Sequence, residues 1–369
     1  MTPRERILTT LNHRMPDRLQ MSYWGRPDVD RAVMGRLGLD SHAQLAERFG
    51  FDGVAGVGLG LRFPEWEARD DRVAKPGDWP GGGTEYVWHD EATFEDCWGT
   101  LWRVGRDGKY LEYVRGPLQT STDPDEYDFP GPDRVIDAPD LASRISELKA
   151  KGCFVEAGLE QPYKTAWRLR GMEENLIDYV ANPGFKERLY DRIYETWEEI
   201  CRRVVSAGID MLSIGGDIAM QDRLIMSEQV WRRVDKPRMA RLIGIAKSIN
   251  PDVHIFIHSD GDLRGIMDDL IEIGFDVINP IQPECMDPVE TKRRWGDRIT
   301  LHGCGSIQRV LPFGTTADVR RHVLRVIENC AVGGGLILGP SNNLQFDTPM
   351  ENIVAFYDTA LEYDLGGLA

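Results

Sequence analysis

The sequence predicts an α/β protein, a (β/α)8 TIM barrel with a β-rich, Trp-rich insertion near the N-terminal third. Two observations support this prediction. From residue 141 onward, short apolar runs alternate with helix-like stretches, which is typical of a parallel sheet covered by helices on both faces. Polar residues suited to catalysis follow these runs, where a barrel places its active site. A doubly wound open sheet is the alternative.

The first part of the chain predicts two helices. Residues 3–13 form the first, because Thr2 can cap it, Pro3 suits its first turn and Glu5 lies three residues after the cap. Residues 40–49 form the second.

Residues 60–135 differ in composition from the rest of the chain, because they hold many Gly, Pro and Trp residues between alternating runs. The dipeptide Asp107-Gly108 separates two of these runs, which predicts a hairpin. We therefore expect a β-rich insertion within a single domain that spans residues 1–369.

The remaining apolar runs predict the barrel. The predicted strands are 153–157, 210–214, 253–257, 276–279, 299–302 and 335–338. The predicted helices are 183–206, 227–249, 262–273, 316–331 and 349–363. A strand near 53–57 and one more within the insertion would give about eight strands, which favours closure into a barrel.

Composition and the absence of known motifs argue against several classes of function. Acidic residues outnumber basic ones, 60 to 44, for a net charge of -16, so binding to nucleic acid or an anionic membrane surface is not expected. No signal peptide or membrane span is visible, and the six cysteines show no CxxC spacing, so we expect reduced thiols and a cytoplasmic protein. Nucleotide-loop, zincin and serine-hydrolase motifs are absent from the sequence.

Polar side chains gather directly after the predicted strands. Because the carboxyl ends of parallel barrel strands meet at one mouth, we expect these side chains to converge there. Read past each run in turn, they are Glu160, Asp217, His258, Asp260, Gln282, Glu284, Cys304 and Asn342.

His258 is the strongest candidate among them. It follows an apolar strand directly and precedes Asp260 by two residues, and such a pair can bind a divalent metal or transfer a proton. Asp260 can instead cap the next helix. Asp217 can bind metal or a substrate hydroxyl, or cap a turn. Cys304 can be a thiolate ligand, although a lone cysteine is more often a small buried apolar residue.

Five segments together resemble the uroporphyrinogen decarboxylase superfamily over nearly the whole chain. They are TPRERILTTLNHRMPDR, AGIDMLSIGGD, HIFIHSDGDL, ITLHGCGSIQRVLPFGT and GGGLILGPSNNLQFDTPMENI. The resemblance implies a (β/α)8 barrel with a deep cleft at the carboxyl ends of the strands.

Members that decarboxylate uroporphyrinogen carry an R-Q-A-G-R segment, an aspartate in an F-S-D-I run and a histidine near the C-terminus. This chain departs from all three, with only Arg26 in the first region, Leu59 in place of the aspartate and Asn342 in place of the histidine. Substrate carboxylates without cationic partners would be left unpaired in the cleft, which is costly.

A second branch of the superfamily contains corrinoid-dependent methyltransferases, which move a methyl group between a corrinoid protein and an acceptor. Its thiol-using members bind zinc through an H-x-C pair and a later Cys. Here His258 matches, whereas Asp260 and Asn342 replace the two cysteines. The resemblance implies zinc or another divalent metal on His258, Asp260 and Cys304.

The leading hypothesis is a methyltransferase that acts in O- or N-demethylation with a corrinoid protein as its partner. The expected catalytic residues are His258, Asp260, Asp217 and Glu284, and the expected residues for a small-molecule substrate are Arg26, Trp24, Glu160, Gln282 and Asn342. The alternatives are decarboxylation of a small carboxylated substrate or of uroporphyrinogen, and a non-catalytic small-molecule binding barrel. A homodimer is a further expectation.

Overall fold

A computed structural model describes residues 1–73, 85–106, 108 and 110–368. Its strands are β1 (Gln20–Met21), β2 (Val54–Val57), β3 (Val87–Trp88), β4 (Thr93–Glu95), β5 (Leu101–Val104), β6 (Leu111–Arg115), β7 (Phe154–Glu160), β8 (Met211–Gly215), β9 (His254–His258), β10 (Val277–Ile281), β11 (Thr300–Gly305) and β12 (Leu336–Pro340).

The helices cover the strands and connect them. They are α1 (Pro3–Leu11), α2 (Pro27–Leu37), α3 (His42–Phe49), α4 (Pro64–Glu67), α5 (Leu141–Ala150), α6 (Pro162–Arg170), α7 (Met172–Ile177), α8 (Pro183–Ser206), α9 (Glu228–Ile249), α10 (Met267–Ile273), α11 (Pro288–Trp295), α12 (Val310–Phe313), α13 (Thr316–Cys330) and α14 (Met350–Glu362).

Eight parallel strands form the main sheet, in the order β1-β12-β11-β10-β9-β8-β7-β2. From β2 and β7 to β12, each strand pairs with the next strand of this sheet along the chain, and β12 pairs with β1. This is the strand order of a (β/α)8 TIM barrel, and the predicted fold class is confirmed. Among the described residues, no hydrogen-bonded ladder joins β1 to β2, so the ring is open between these two strands. The eighth strand was expected within the insertion, and that prediction is wrong, because β1 supplies it.

A second sheet is antiparallel and has the order β3-β4-β5-β6. Strands β5 and β6 form a hairpin around the predicted turn, of which Asp107 lies outside the described residues. The four strands fall within residues 60–135, the segment expected to be β-rich. That this segment is an insertion into a single domain stays a prediction.

Helix α1 covers the amino-terminal end of the barrel. Thr2 accepts a hydrogen bond from the backbone of Glu5, and the Glu5 side chain accepts one from Thr2, so the predicted capping box is present. Ile7 and Leu11 on this helix are buried. They pack in one apolar cluster with the inward side chains of the barrel strands, Phe154, Met211, Phe256, Val277 and Ile337.

No helix in the described part of the chain is both long enough and apolar enough to cross a membrane.

Candidate active site

Three of the predicted site residues lie together at the carboxyl ends of neighbouring strands. His258 is the last residue of β9, Asp260 follows it by two positions, and Asp217 lies two positions after β8. One ligand atom from each residue lies within 4.8 Å of the other two. His258 Nε2 is 3.9 Å from Asp217 Oδ1. We call these three residues the acidic-histidine cluster.

Hydrogen bonds hold the two carboxylates of this cluster in place. The backbone N–H of Asp260 donates to Asp217 Oδ1 at 2.9 Å. Asn342 Nδ2 donates to Asp260 Oδ2 at 2.6 Å. The other oxygen, Asp260 Oδ1, is buried and has no hydrogen-bond partner among the described residues. An unpartnered buried carboxylate oxygen is costly, and a bound cation would satisfy it.

Burial and the nearby Asp217 carboxylate raise the pKa of Asp260, against the opposing effects of His258, Asn342 and Lys164. Two carboxylates so close together disfavour a second negative charge. A divalent cation between them would reverse this effect, because it would stabilise both charges.

The other ring nitrogen of His258 is held by Asn279. The Asn279 side-chain oxygen lies 2.6 Å from His258 Nδ1, and since an amide oxygen only accepts, Nδ1 carries the proton. Nε2 is then the ring nitrogen that can offer a lone pair, and it faces the carboxylates. Asn279 Nδ2 in turn donates to Nδ1 of His302.

His302 is buried in the barrel, and this burial, together with the nearby His258, lowers its pKa to about 3, so the ring is neutral. Asn279 and His302 were not predicted as site residues, because both lie inside the apolar strands and not after them. The sequence signal that could have identified them is a polar residue at an inward position of an otherwise apolar strand.

The donor set fits a divalent metal. One imidazole and two carboxylates are ligands that zinc, manganese and iron accept. Cys304 does not join the acidic-histidine cluster, although it was expected as a ligand. Its backbone lies in the left-handed region at φ 69°, and its thiol is buried in the apolar core, which raises the pKa of the thiol.

Glu284 and Gln282 make contacts of their own beside this region. Glu284 accepts a hydrogen bond from the hydroxyl of Ser306, and its second carboxylate oxygen is buried without a partner among the described residues. Gln282 is buried and accepts a hydrogen bond from the backbone of Gly261 at 3.3 Å. Gly261 follows Asp260 directly, so Gln282 supports the loop that carries the cluster.

Two of the residues expected to bind substrate already have side-chain partners. Glu160 accepts hydrogen bonds from Thr165 and Arg168. Arg26 forms an ion pair with Asp28 at 3.3 Å.

Trp24 lies against the two histidines. Its ring centroid is 5.6 Å from that of His258 and 5.9 Å from that of His302. All three side chains line a cavity of about 770 Å³ in the barrel interior, which continues to Ile7 and Leu11 on α1. A cavity of this size accommodates a small organic molecule.

Comparisons with known proteins give a matching family model and solved structures with different degrees of similarity. A family model described as Uroporphyrinogen decarboxylase (URO-D) matches residues 112–363. A methyltransferase from Methanosarcina mazei has a similar structure, with a TM-score of 0.63, 17% sequence identity and coverage of 98% of each chain. A B12-independent methionine synthase from a Shewanella species has a TM-score of 0.39 and 9% identity over 93% of each chain. No curated protein matches the sequence.

Proposed function

Because the chain belongs to the uroporphyrinogen decarboxylase family, we propose that it is a methyltransferase that works with a corrinoid protein and holds a divalent metal. One observation carries this proposal. The ligand atoms of Asp217, His258 and Asp260 converge at the carboxyl ends of the barrel strands, where one buried oxygen of Asp260 lacks a partner. The protein from Methanosarcina mazei with the same fold is a methyltransferase, which makes methyl transfer the first reaction to test.

The chain's own residues would prepare the metal site. Asn279 keeps the proton of His258 on Nδ1 and so presents Nε2 as a ligand. Asn342 and the Asp217 carboxylate fix the position of the Asp260 loop. Zinc or another divalent metal bound there would act as a Lewis acid toward the oxygen or nitrogen that loses the methyl group.

The proposed reaction is the transfer of a methyl group from an O- or N-methylated small molecule to the reduced corrinoid. The bond between the methyl carbon and the heteroatom breaks, and the heteroatom keeps the electron pair. The electron pair for the new bond to the methyl carbon would come from the reduced cobalt of the corrinoid, which the partner protein would hold as a co-substrate. Trp24 lies over His258 and lines the cavity, so it would exclude water on that side of the reacting methyl group.

Decarboxylation of a carboxylated substrate is the second candidate, and the cavity lining disfavours it. Neither lysine nor arginine occurs among the described residues that line the cavity. Arg26, which was expected to hold a carboxylate, is paired with Asp28. A carboxylated substrate would therefore meet no lysine or arginine at the cavity wall, whereas a neutral or cationic methyl donor needs none.

Metal content tests the cluster directly. Purified protein equilibrated with Zn²⁺, Mn²⁺ or Co²⁺ and then desalted should retain about one ion per chain, as measured by elemental analysis. His258→Ala should lose it, whereas His89→Ala, which changes an exposed histidine outside the cluster, should retain it. Equal metal retention by both variants would contradict the proposed site.

Methyl transfer is followed by the visible spectrum of cobalamin. Reduced cobalamin incubated with protein and a panel of methoxylated and N-methylated compounds should be converted to methylcobalamin, and His258→Ala should remove this conversion. Release of CO2 from a carboxylated substrate, without methyl transfer from any compound, would favour the decarboxylase. Tight ligand binding with neither reaction would indicate a non-catalytic binding barrel.

A further inference from the structure

Below the acidic-histidine cluster, the barrel interior contains a second polar position. Glu156 on β7 lines the cavity, and Oγ of Ser213 on β8 donates a hydrogen bond to its carboxylate at 3.0 Å. Burial raises the pKa of Glu156, so its charge lacks compensation inside the barrel. Neither Glu156 nor Ser213 is among the site residues predicted from the sequence.

The charged side chains of the described cavity wall are all acidic. The charged side chains among its described lining residues are Asp52 and Glu156. Asp52 is neutralised by ion pairs with Arg6 at 2.8 Å and Arg18 at 2.9 Å. Glu156 forms no ion pair with any described lysine or arginine, so a ligand is the available source of a positive charge for it.

Open space connects Glu156 to His258. Gly158 and Gly215 follow Glu156 and Ser213 by two positions, on the same inward faces of β7 and β8. A Cβ atom at either glycine would meet nothing within 4 Å. Gly215 is in register with His258, so this empty layer leads from the carboxylate to the cluster. Side chains usually fill this part of a small barrel.

The remaining wall is mainly aromatic and apolar, although Gln20, Ser22 and His42 also line it. The rings that line it belong to Tyr23, Trp24, Phe51, Phe154 and Phe256. Aromatic faces attract both apolar groups and cations. The cavity therefore combines a mainly apolar wall with an uncompensated carboxylate at one level and His258, the member of the acidic-histidine cluster that lines it, at another.

We propose that Glu156 and Ser213 bind a cationic amine at one end of the substrate, while an apolar body fills the layer at Gly158 and Gly215. The substrate class is a small aryl or alkyl amine that carries its methylated oxygen or nitrogen at the opposite end, beside His258. Ser213 lies two residues of strand rise, about 7 Å, before Gly215, which is in register with His258. The location of the methyl group rests on the proposed function, whereas the amine site does not.

Three compounds with one skeleton test the amine site by isothermal titration calorimetry. They are para-methoxyphenethylamine, para-methoxyphenethyl alcohol and para-methoxyphenylacetate, which are cationic, neutral and anionic. The wild-type protein should bind the amine at least about tenfold more tightly than the alcohol, and the acid most weakly. Glu156→Gln should remove the preference for the amine and leave binding of the alcohol unchanged.

Glu328→Gln is the matched control, because it changes an exposed glutamate on α13 and should keep the preference. Gly158→Leu should weaken binding of all three compounds, because its side chain would occupy the empty layer. Equal affinity for amine and alcohol in the wild type, or an amine preference retained in Glu156→Gln, would overturn the proposal. If Gly158→Leu bound all three compounds as tightly as the wild type, the proposed location of the apolar body beside Gly158 would be wrong.

Binding and methyl transfer can fail separately. An amine preference that depends on Glu156, without methyl transfer, supports this inference and counts against the proposed function. Methyl transfer without an amine preference supports the proposed function and counts against this inference.

Discussion

The side-chain oxygen of Asn279 accepts a hydrogen bond from Nδ1 of His258 across 2.6 Å, although the two residues lie on different strands. Strands β9 and β10 place them in register as partners. The contact keeps a proton on Nδ1, so that Nε2, which is directed at two carboxylates, is the ring nitrogen available as a ligand. Partners that orient a metal-binding histidine in this way typically contribute substantially to metal affinity.

Asn279→Leu should therefore weaken the binding of Zn²⁺ by about 10–100-fold, because nothing would hold the His258 ring or its protonation. A competition titration with a chromophoric chelator measures this change. Asn329→Leu, on the surface of α13, is the control and should bind Zn²⁺ as the wild type does. If both variants bind zinc equally well, Asn279 does not position His258.

The contact between Asn342 and Asp260 leads to a prediction about metal preference. The sequence resemblance places these two residues where the thiol-using methyltransferases have cysteines, and Asn342 Nδ2 lies 2.6 Å from Asp260 Oδ2. The double variant Asp260→Cys/Asn342→Cys should favour Zn²⁺ over Mn²⁺ more strongly than the wild type does, since thiolates are softer ligands. Competitive metal binding, quantified by elemental analysis, gives the ratio. An unchanged ratio would show that the two positions do not share one metal.

Most barrel strands and the long helices could be predicted from the sequence, because apolar periodicity is a local signal. Helix α8 covers the predicted residues 183–206, and β9 begins one residue after its predicted start. Strand β1 was missed, because a two-residue strand has no visible period and its pairing with distant β12 is not a local property.

The site could be predicted only in part. His258, Asp260 and Asp217 could be identified because they follow apolar runs, and the structure brings them together. The chain from His258 through Asn279 to His302 depends on the register of three strands, which the sequence does not reveal. Glu156 was likewise hidden within a strand.

Helix α1 stabilises the fold from the end of the barrel opposite the site. Leu11 is 4% exposed and packs in the apolar cluster at this end of the barrel. Leu11→Ala should lower the free energy of unfolding by about 2–5 kcal/mol, because it removes buried methyl groups and leaves a cavity. Leu361→Ala, at a position 40% exposed, should cost much less. Urea denaturation of both variants tests the difference, and equal costs would contradict the packing role of α1.

The ammonium group of Lys186 is buried between helices, so its charged form lowers the stability of the folded chain. Its Nζ lies 4.0 Å from the ring centroid of Tyr179 and 4.2 Å from that of Tyr190, and it donates to Asn175. Burial lowers the pKa of Lys186 to about 7, against the opposing effect of Asp235. In the unfolded chain the same group should titrate near the ordinary pKa of lysine, about 10.4.

Between these two pKa values the unfolded state binds more protons than the folded state, so stability should rise with pH. Relative to Lys186→Met, the wild type should gain up to about 1.4 kcal/mol per pH unit above pH 7. Urea denaturation at several pH values from 7 to 9.5 measures this difference. Lys236→Met is the control, because ion pairs with Asp269 and Glu272 raise the pKa of Lys236 and predict no slope in this window. A flat difference for Lys186→Met would mean that the buried amine keeps its proton throughout, stabilised by the tyrosine rings.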